Sequence, residues 1–482
     1  MLSHISFLLD GRIVTIDPAS SPGVSPTTTL LTYLRNLPNH KGVKEGCAEG
    51  DCGACTIVLG EACSDGRMRY KTIASCLVLL PMVHGKQVIT VENLKNADGT
   101  LHPVQQALID AYGSQCGFCT PGITMTLFAL YKSEPPPTQT EIDDAFVGNL
   151  CRCTGYRPIV GAAISVTSLP NRKDHFSQIE ATTIALLQRI PKKSLCLKTS
   201  QQTYHRPLSL QEALNIRRRS PSILVVNGGT DVALRITKKH ELLEEILDIS
   251  AVHELREVVS SRESLILGAG LSLNEVRPLV KEAFPALAEM LDVFGSVQIR
   301  NLGTLGGNLG SASPIGDTLP VLVAYGAKVR VQNADRSREI PLDEFIVGYR
   351  QTACQPGELI TAIILPRPVP SMAVRSFKVS KRRDLDISTV SGGFAVQLDD
   401  RNRVKRCTLA FGGMADRTRR AYSVEQRLQG REWSRSVVEE AAELVKNDFT
   451  PITDARAGAD FRLVAARNLI LKFWISTQFN VS

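Results

Sequence analysis

A chain of 482 residues is longer than one hydrophobic core supports and predicts roughly three domains. Its formal charge of +8 is modest and scattered rather than striped, which argues against nucleic acid as a partner. No run nears the ~20 apolar residues of a membrane span, and residues 1–10 lack the basic start of a secretory signal. Twelve cysteines without an export signal favour metal or redox chemistry over disulfides, and a cytoplasmic home.

The chain begins with a predicted hairpin, Ile5 to Leu9 and Ile13 to Ile16 around the turn pair Asp10-Gly11. Residues 27–35 then read as a helix with Leu30, Leu31 and Leu34 on one face. The loop C-A-E-G-D-C-G-A-C follows, placing Cys47, Cys52 and Cys55 at C-x4-C-x2-C spacing, with Cys76 after a longer gap. That is the spacing of a plant-type 2Fe-2S cluster, in which three thiolates come from one tight loop and a fourth from outside it. Gly50 and Gly53 give the loop positive φ cheaply. A zinc site or stray buried thiols is the weaker alternative, because zinc ligands usually come as two short pairs.

A second group, Cys116 and Cys119 in C-G-F-C-T-P-G, precedes a predicted helix with Pro121 in its first turn and Ile123, Leu127, Leu130 and Tyr131 as its stripe. Thr138 with Glu141 predicts a capping box for the next helix, whose buried face reads as Ile142, Phe146 and Leu150 and which delivers Cys151 and Cys153. A further helix carries Ile159, Ala162, Ala163 and Val166. By itself the CxxC pair fits a redox dithiol, half a zinc site or a cluster. Residues 168–206 read as a linker interrupted by prolines, with a short helix over 182–189.

From Ser209 strands and helices alternate. Ser209 and Glu212 predict a helix start, and the strand over 223–226 runs into Asn227-Gly228-Gly229-Thr230-Asp231. A strand feeding a glycine pair brings backbone amides within reach of a phosphate, although this is not the G-x-G-x-x-G of a dinucleotide fold. Residues 301–317 form a second glycine-rich stretch in which Thr304, Asn308, Ser311, Ser313 and Asp317 offer polar groups to a ribityl chain, ribose or phosphate. The bland reading of either stretch alone is an irregular turn. From about residue 374 the chain runs F-K-V-S-K-R-R-D-L-D-I, a hairpin through 399–402, a strand over 407–411, and helices.

The motifs C-A-E-G-D-C-G-A-C, C-G-F-C-T-P-G and G-N-L-C-R-C-T-G-Y together resemble the iron–sulfur module of molybdenum hydroxylases, and the glycine-rich stretches resemble that family's FAD domain. The resemblance implies an α+β multidomain fold: a plant-type ferredoxin (β-grasp) domain at 1–91, a helical-bundle 2Fe-2S domain at 92–167, a linker at 168–206, a two-part FAD-binding domain at 207–373 and a C-terminal α+β domain at 374–482. It implies two 2Fe-2S clusters, one on Cys47, Cys52, Cys55 and Cys76 and one on Cys116, Cys119, Cys151 and Cys153, with Cys63, Cys196, Cys354 and Cys407 left as reduced thiols.

It further implies FAD contacts at Val225, Val226, Asn227, Gly228, Gly229, Thr230, Asp231, Thr304, Gly307, Asn308, Ser311 and Asp317, and places Phe294 either against the flavin ring or in the core. Residues Asp384 to Asp386 lie near the flavin in such proteins, and Lys378 either stabilises the anionic reduced ring or belongs to a solvated basic run. Gln115, beside Cys116, faces the molybdenum cofactor on this reading, with the Cys116 cluster nearer molybdenum and the Cys47 cluster nearer FAD.

The module order matches the small subunit of bacterial members. A separate large subunit would hold molybdopterin, assemble with this chain as an (αβ)2 heterotetramer, and oxidise hypoxanthine and xanthine to urate. Electrons would pass through the two clusters to FAD and then NAD. An aldehyde or another N-heterocycle as substrate, or a redox module without turnover, are the alternatives.

Overall fold

The computed structural model describes residues 1–96 and 98–478. They form two compact units, the first from Met1–Ser209, Ile223–Ala251 and Gly295–Gly303, the second from Leu210–Ser222, Val252–Phe294 and Thr304–Ser482. The architecture is α+β and multidomain throughout.

In the first unit the hairpin forms as the turn pair demands. Asp10 and Gly11 both take positive φ, 52° and 70°, which suits a two-residue turn between right-twisted strands. Ile5–Leu9 pairs antiparallel with Arg12–Ile16 and parallel with Gln87–Ile89, and the sheet continues through Thr56–Ala62 to Met68–Ala74. Against it packs the helix Leu30–Asn36, whose first turn is capped by the Thr29 hydroxyl accepting from the Thr32 amide at 3.1 Å. Leu30, Leu31 and Leu34 are all buried, as the spacing predicts.

Four helices follow: Pro103–Asp110, Thr120–Tyr131, Gln139–Phe146 and Arg157–Thr167. The second is buried nearly all round and is the centre of the bundle. The Thr138–Glu141 capping box is present. The helix it opens stops at Phe146, so Leu150 is 40 % exposed rather than on a buried face, and Cys151 and Cys153 sit in the loop before the next helix. Gly148 lies just past that end, and the Gln298 and Ser296 side chains fill the space, 2.2 and 2.5 Å from where a Cβ would lie.

The stretch 168–206 departs from the linker expectation. Beyond the predicted helix, found at Glu180–Gln188, it holds the helix His175–Gln178 and the strands Leu195–Lys198 and Thr203–Arg206. The second strand runs parallel to Glu245–Asp248, which also pairs in parallel with Leu224–Val226. Leu195, Leu197 and Tyr204 join one apolar cluster with Leu77, Leu79, Val226 and Ile246, so this sheet and the ferredoxin-like sheet share a core.

The second unit holds a five-stranded antiparallel sheet ordered Val258–Ser260, Ser264–Gly268, Leu359–Pro366, Lys328–Gln332 and Ser337–Pro341. Helices Leu273–Val280, Pro285–Asp292 and Thr318–Ala324 bury their apolar faces in its core. A meander of Met372–Val379, Val390–Leu398 and Val404–Gly412 completes the unit. It is covered by the helix Ala459–Gln478, where Phe473 meets Trp433 edge-to-face at 5.8 Å. Among the described residues no helix is long and apolar enough to cross a membrane.

Candidate iron–sulfur centres and flavin-binding segments

The cysteine loop 47–55 folds tightly because its glycines permit it. Gly50 and Gly53 take φ of 86° and 72°, the left-handed region that a side chain resists. A Cβ on Gly46 would lie 2.8 Å from the Cys52 sulfur, so the bare backbone there makes room for a thiol. Within this loop Cys47 Sγ accepts hydrogen bonds from the amides of Glu49 and Cys52, each at 3.4 Å. Cys76 comes from the turn after Met68–Ala74 and stands 3.4 Å, sulfur to sulfur, from Cys55.

The first four cysteines thus fall into two bonded pairs. The thiol bond from Cys52, helped by the loop amides and opposed by burial, lowers Cys47 to about 5, and the same bond with burial holds Cys52 up. Cys76 likewise bonds to Cys55, lowering Cys55 and raising itself. Cys47 also lies near enough to both Cys55 and Cys76 for its charge to act on them.

The second four repeat the pattern. Cys116 is lowered by the Phe118 amide and then by its bond from Cys153, which is itself raised by that bond. Burial and a bond to Cys151 push Cys119 up to about 12, while burial of Cys151 is outweighed by the Thr154 hydroxyl and amide. Cys116 and Cys153 are exposed; Cys55 and Cys76 are buried.

Two-by-two pairing suits a particular kind of metal. Among the described residues no three or more His, Cys, Asp or Glu side chains surround a single-ion position. A binuclear cluster needs something else: two thiolates on each of two irons, and two sulfurs on one tetrahedral metal at about 2.3 Å per bond sit under ~4 Å apart. The 3.4 Å between Cys55 and Cys76 meets that spacing. One thiol of each pair is shifted toward the thiolate that metal binding requires.

The remaining predicted residues divide between the two units. In the first, Gly228 owes its identity to packing: a Cβ would lie 1.8 Å from the Leu302 carbonyl oxygen. Gly229 has φ of 76°, and Asp231 is exposed. Val225 and Val226 end the strand that runs into Asn227 and Thr230. In the second unit Thr304 caps the helix Leu305–Ser311, its hydroxyl accepting from the Gly307 amide at 3.0 Å. Asn308 Oδ1 accepts from Thr318, and the Ser311 hydroxyl donates to the Asn308 carbonyl at 2.9 Å.

Lys378 is not part of a solvated run. Its side chain is 6 % exposed, and its ammonium donates to Asp317 Oδ2 and to the Val293 carbonyl, both at 2.9 Å. Asp317 also accepts from Ser388, so the lysine and the carboxylate form one buried network. Phe294 is half-buried and packed against the apolar core of its unit. Asp386 pairs with Arg382, whose hydrogen bonds hold its carboxyl low, and Gln115 is exposed.

Residues that the motifs did not single out anchor the segments around the cysteines. Lys238 donates to the Cys47 carbonyl and pairs with Glu49 at 3.2 Å. Arg300, fully buried, donates from one guanidinium nitrogen to both carboxylate oxygens of Asp144, at 2.6 and 2.7 Å. Asn149, the N of G-N-L-C-R-C, is 1 % exposed and bonded on all sides. Only that last residue carried a signal in the sequence, its place beside Cys151.

Four family profiles match the chain in order: a 2Fe-2S iron-sulfur cluster binding domain over residues 14–80, a 2Fe-2S binding domain over 90–164, an FAD binding domain in molybdopterin dehydrogenase over 198–368, and a CO dehydrogenase flavoprotein C-terminal domain over 375–477. The chain is an iron–sulfur and flavin module of the molybdenum hydroxylases.

Relatives of this family include the xanthine dehydrogenase of Drosophila pseudoobscura pseudoobscura, 33 % identical over all of this chain, and that of Emericella nidulans, 33 % identical over 89 % of it. The chain spans 40 % and 35 % of the length of those two relatives. Among solved structures, a chain of the carbon monoxide dehydrogenase of Hydrogenophaga pseudoflava matches 56 % of this chain and 94 % of its own at a TM-score of 0.53 and 23 % identity. A chain of quinoline 2-oxidoreductase from Pseudomonas putida 86 matches 58 % and 98 % at 0.52 and 23 %. These two likenesses speak to the fold alone.

Proposed function

We propose that this chain is the electron-transfer subunit of a xanthine dehydrogenase, with Cys47, Cys52, Cys55 and Cys76 holding one 2Fe-2S cluster and Cys116, Cys119, Cys151 and Cys153 the other. The tight glycine-bearing loop that turns its amides onto Cys47 Sγ and brings Cys55 to 3.4 Å from Cys76 is the observation that carries the reading. Bound clusters supply one-electron transfer and bound FAD exchanges single electrons for hydride with NAD.

The chain's own residues set the conditions. The Glu49 and Cys52 amides aim at Cys47 Sγ and favour its anionic form, which eases reduction of whatever metal it holds. The glycine-rich segments at 225–231 and 304–317 offer amides and hydroxyls to FAD. Lys378 puts a cation next to Asp317 in a region shielded from water, where charge acts strongly.

Purine hydroxylation belongs to a partner subunit that holds molybdopterin, the pair assembling as an (αβ)2 heterotetramer in the cytoplasm. The purified chain should reduce an artificial dye with NADH and leave hypoxanthine untouched. With the partner added, hypoxanthine should be oxidised faster than an aldehyde or quinoline. Hypoxanthine turnover by this chain alone would overturn the division of labour, and preference for an aldehyde in the complex would overturn the substrate.

A further inference from the structure

Between the two cysteine sets lies a single buried side chain with every hydrogen-bonding group in use. Asn149 Nδ2 donates to the Gly53 carbonyl at 3.3 Å and to the Thr56 hydroxyl at 3.2 Å, both in the first cysteine loop and the strand it enters. Its Oδ1 accepts from the Thr126 hydroxyl at 2.7 Å, on the helix that follows Cys119, and from Gln298 Nε2 at 2.8 Å. An amide side chain has two donor hydrogens and two acceptor lone pairs, and here all four are satisfied.

The next residue makes the direct link. The Leu150 amide donates to the Cys52 carbonyl at 3.0 Å, so one hydrogen bond joins the backbone beside Cys151 to the backbone of Cys52. The surrounding contacts leave no slack. A Cβ on Gly53 would lie 2.1 Å from the Gly148 carbonyl, and one on Gly122 would lie 2.2 Å from the Gly53 carbonyl. Three stretches of backbone are pressed together at this point, and Asn149 pins them.

We propose that Asn149 is a positioning residue that fixes the separation of the two cysteine quartets by holding the Leu150 amide on the Cys52 carbonyl. This inference rests on the cluster assignment above. Tunnelling and magnetic exchange both weaken steeply with distance, so a small relaxation here is read directly by the coupling between the two centres. An alanine at 149 removes the donor to the Thr56 hydroxyl, leaves the Gly53 carbonyl only the Thr56 amide at 3.1 Å and leaves Thr126 and Gln298 only their mutual bond at 3.3 Å, so the loops part to admit water.

The test uses the full chain carrying both clusters. In the reduced wild type the two 2Fe-2S signals should split each other at low temperature. Asn149→Ala should keep full iron and sulfide and both signals, with the splitting weakened and the electron exchange between centres slowed. Gln298→Ala, which removes one acceptor bond and leaves the Gly53 and Thr56 bonds in place, should show the same change at smaller size, and it serves where Asn149→Ala fails to fold. Amide exchange at Leu150, measurable with or without metal, should speed up in both variants. Unchanged splitting together with an unchanged Leu150 exchange rate in the variant that folds would overturn the inference. Absence of two 2Fe-2S signals from the wild type would overturn the cluster assignment instead, while Leu150 exchange would still report on Asn149.

Discussion

Cys76 reaches its partners from 21 residues beyond Cys55, and Cys153 closes the second set from 37 residues beyond Cys116, so each is the member a substitution removes most cleanly. Cys76→Ser should lower bound iron to about half and erase one 2Fe-2S signal while the other survives; Cys153→Ser should do the reverse. Iron analysis with electron paramagnetic resonance on each variant checks this, and loss of both signals from either would argue for one shared centre. A second residue-scale consequence concerns acid. Burial pushes the Asp174 carboxyl up, but bonds from His102 at 2.9 Å and Lys132 at 2.9 Å outweigh it and hold the group well below the usual carboxylate range. A depressed folded value adds stability that is fully present above the unfolded value near ~4 and is lost as pH falls below it. Asp174→Asn should therefore unfold at lower denaturant than wild type at pH 7, by roughly 3–5 kcal/mol for a broken buried pair, and the gap should narrow progressively as pH falls below ~4. Urea titrations at the two pH values measure it.

At the scale of elements, the distinction between glycines gives the sharpest expectation. Gly53 and Gly66 share positive φ, 72° and 80°, yet a Cβ at Gly66 meets nothing within 4 Å whereas one at Gly53 meets backbone at 2.1 Å. Gly66→Ala should cost only the left-handed strain of about 1–2 kcal/mol and keep both clusters. Gly53→Ala should displace the cysteine loop from residues 148–149 and lose iron on purification. Metal content and thermal unfolding of the two variants compare them directly. Elements with local signals were legible in the sequence: the Asp10-Gly11 turn, the Thr138–Glu141 box and the Leu30, Leu31, Leu34 face all depend on neighbours a few residues away. What escaped depends on distant pairing. The strands at 195–198 and 203–206 exist because Leu2 and residues 245–248 lie alongside them, and no periodicity over four residues announces that. Leu150 falls off the predicted buried face because the helix ends at Phe146, and the Ser296 and Gln298 side chains that pack against Gly148 come from far along the chain. Lys378 sits in a basic run whose sequence looks solvated, and only its strand register beside Ser391 and the carboxylate of Asp317 brings it inside.

Taken whole, the chain spends one unit on metal and divides the flavin-binding domain between both. The segment Gly295–Gly303, flanked in the chain by Phe294 and Thr304, belongs to the first unit and is held there by Arg300 on Asp144, Gln298 on Asn149 and Asn301 on the Thr72 carbonyl at 2.8 Å. Nothing in the spacing of cysteines or glycines predicts that excursion, because its partners are more than a hundred residues away. It seats part of the flavin-binding match at 198–368 in the unit that carries the cysteines, within a module whose purpose is to hand on electrons. That purpose requires two separate binuclear centres on eight thiols. Double integration of the paramagnetic resonance spectrum of the fully reduced protein, with iron and zinc counted on the same sample, tests the requirement most directly. The account predicts two distinct 2Fe-2S signals summing to about two spins per chain with no zinc; a single signal of about one spin, or zinc in place of iron, would contradict it.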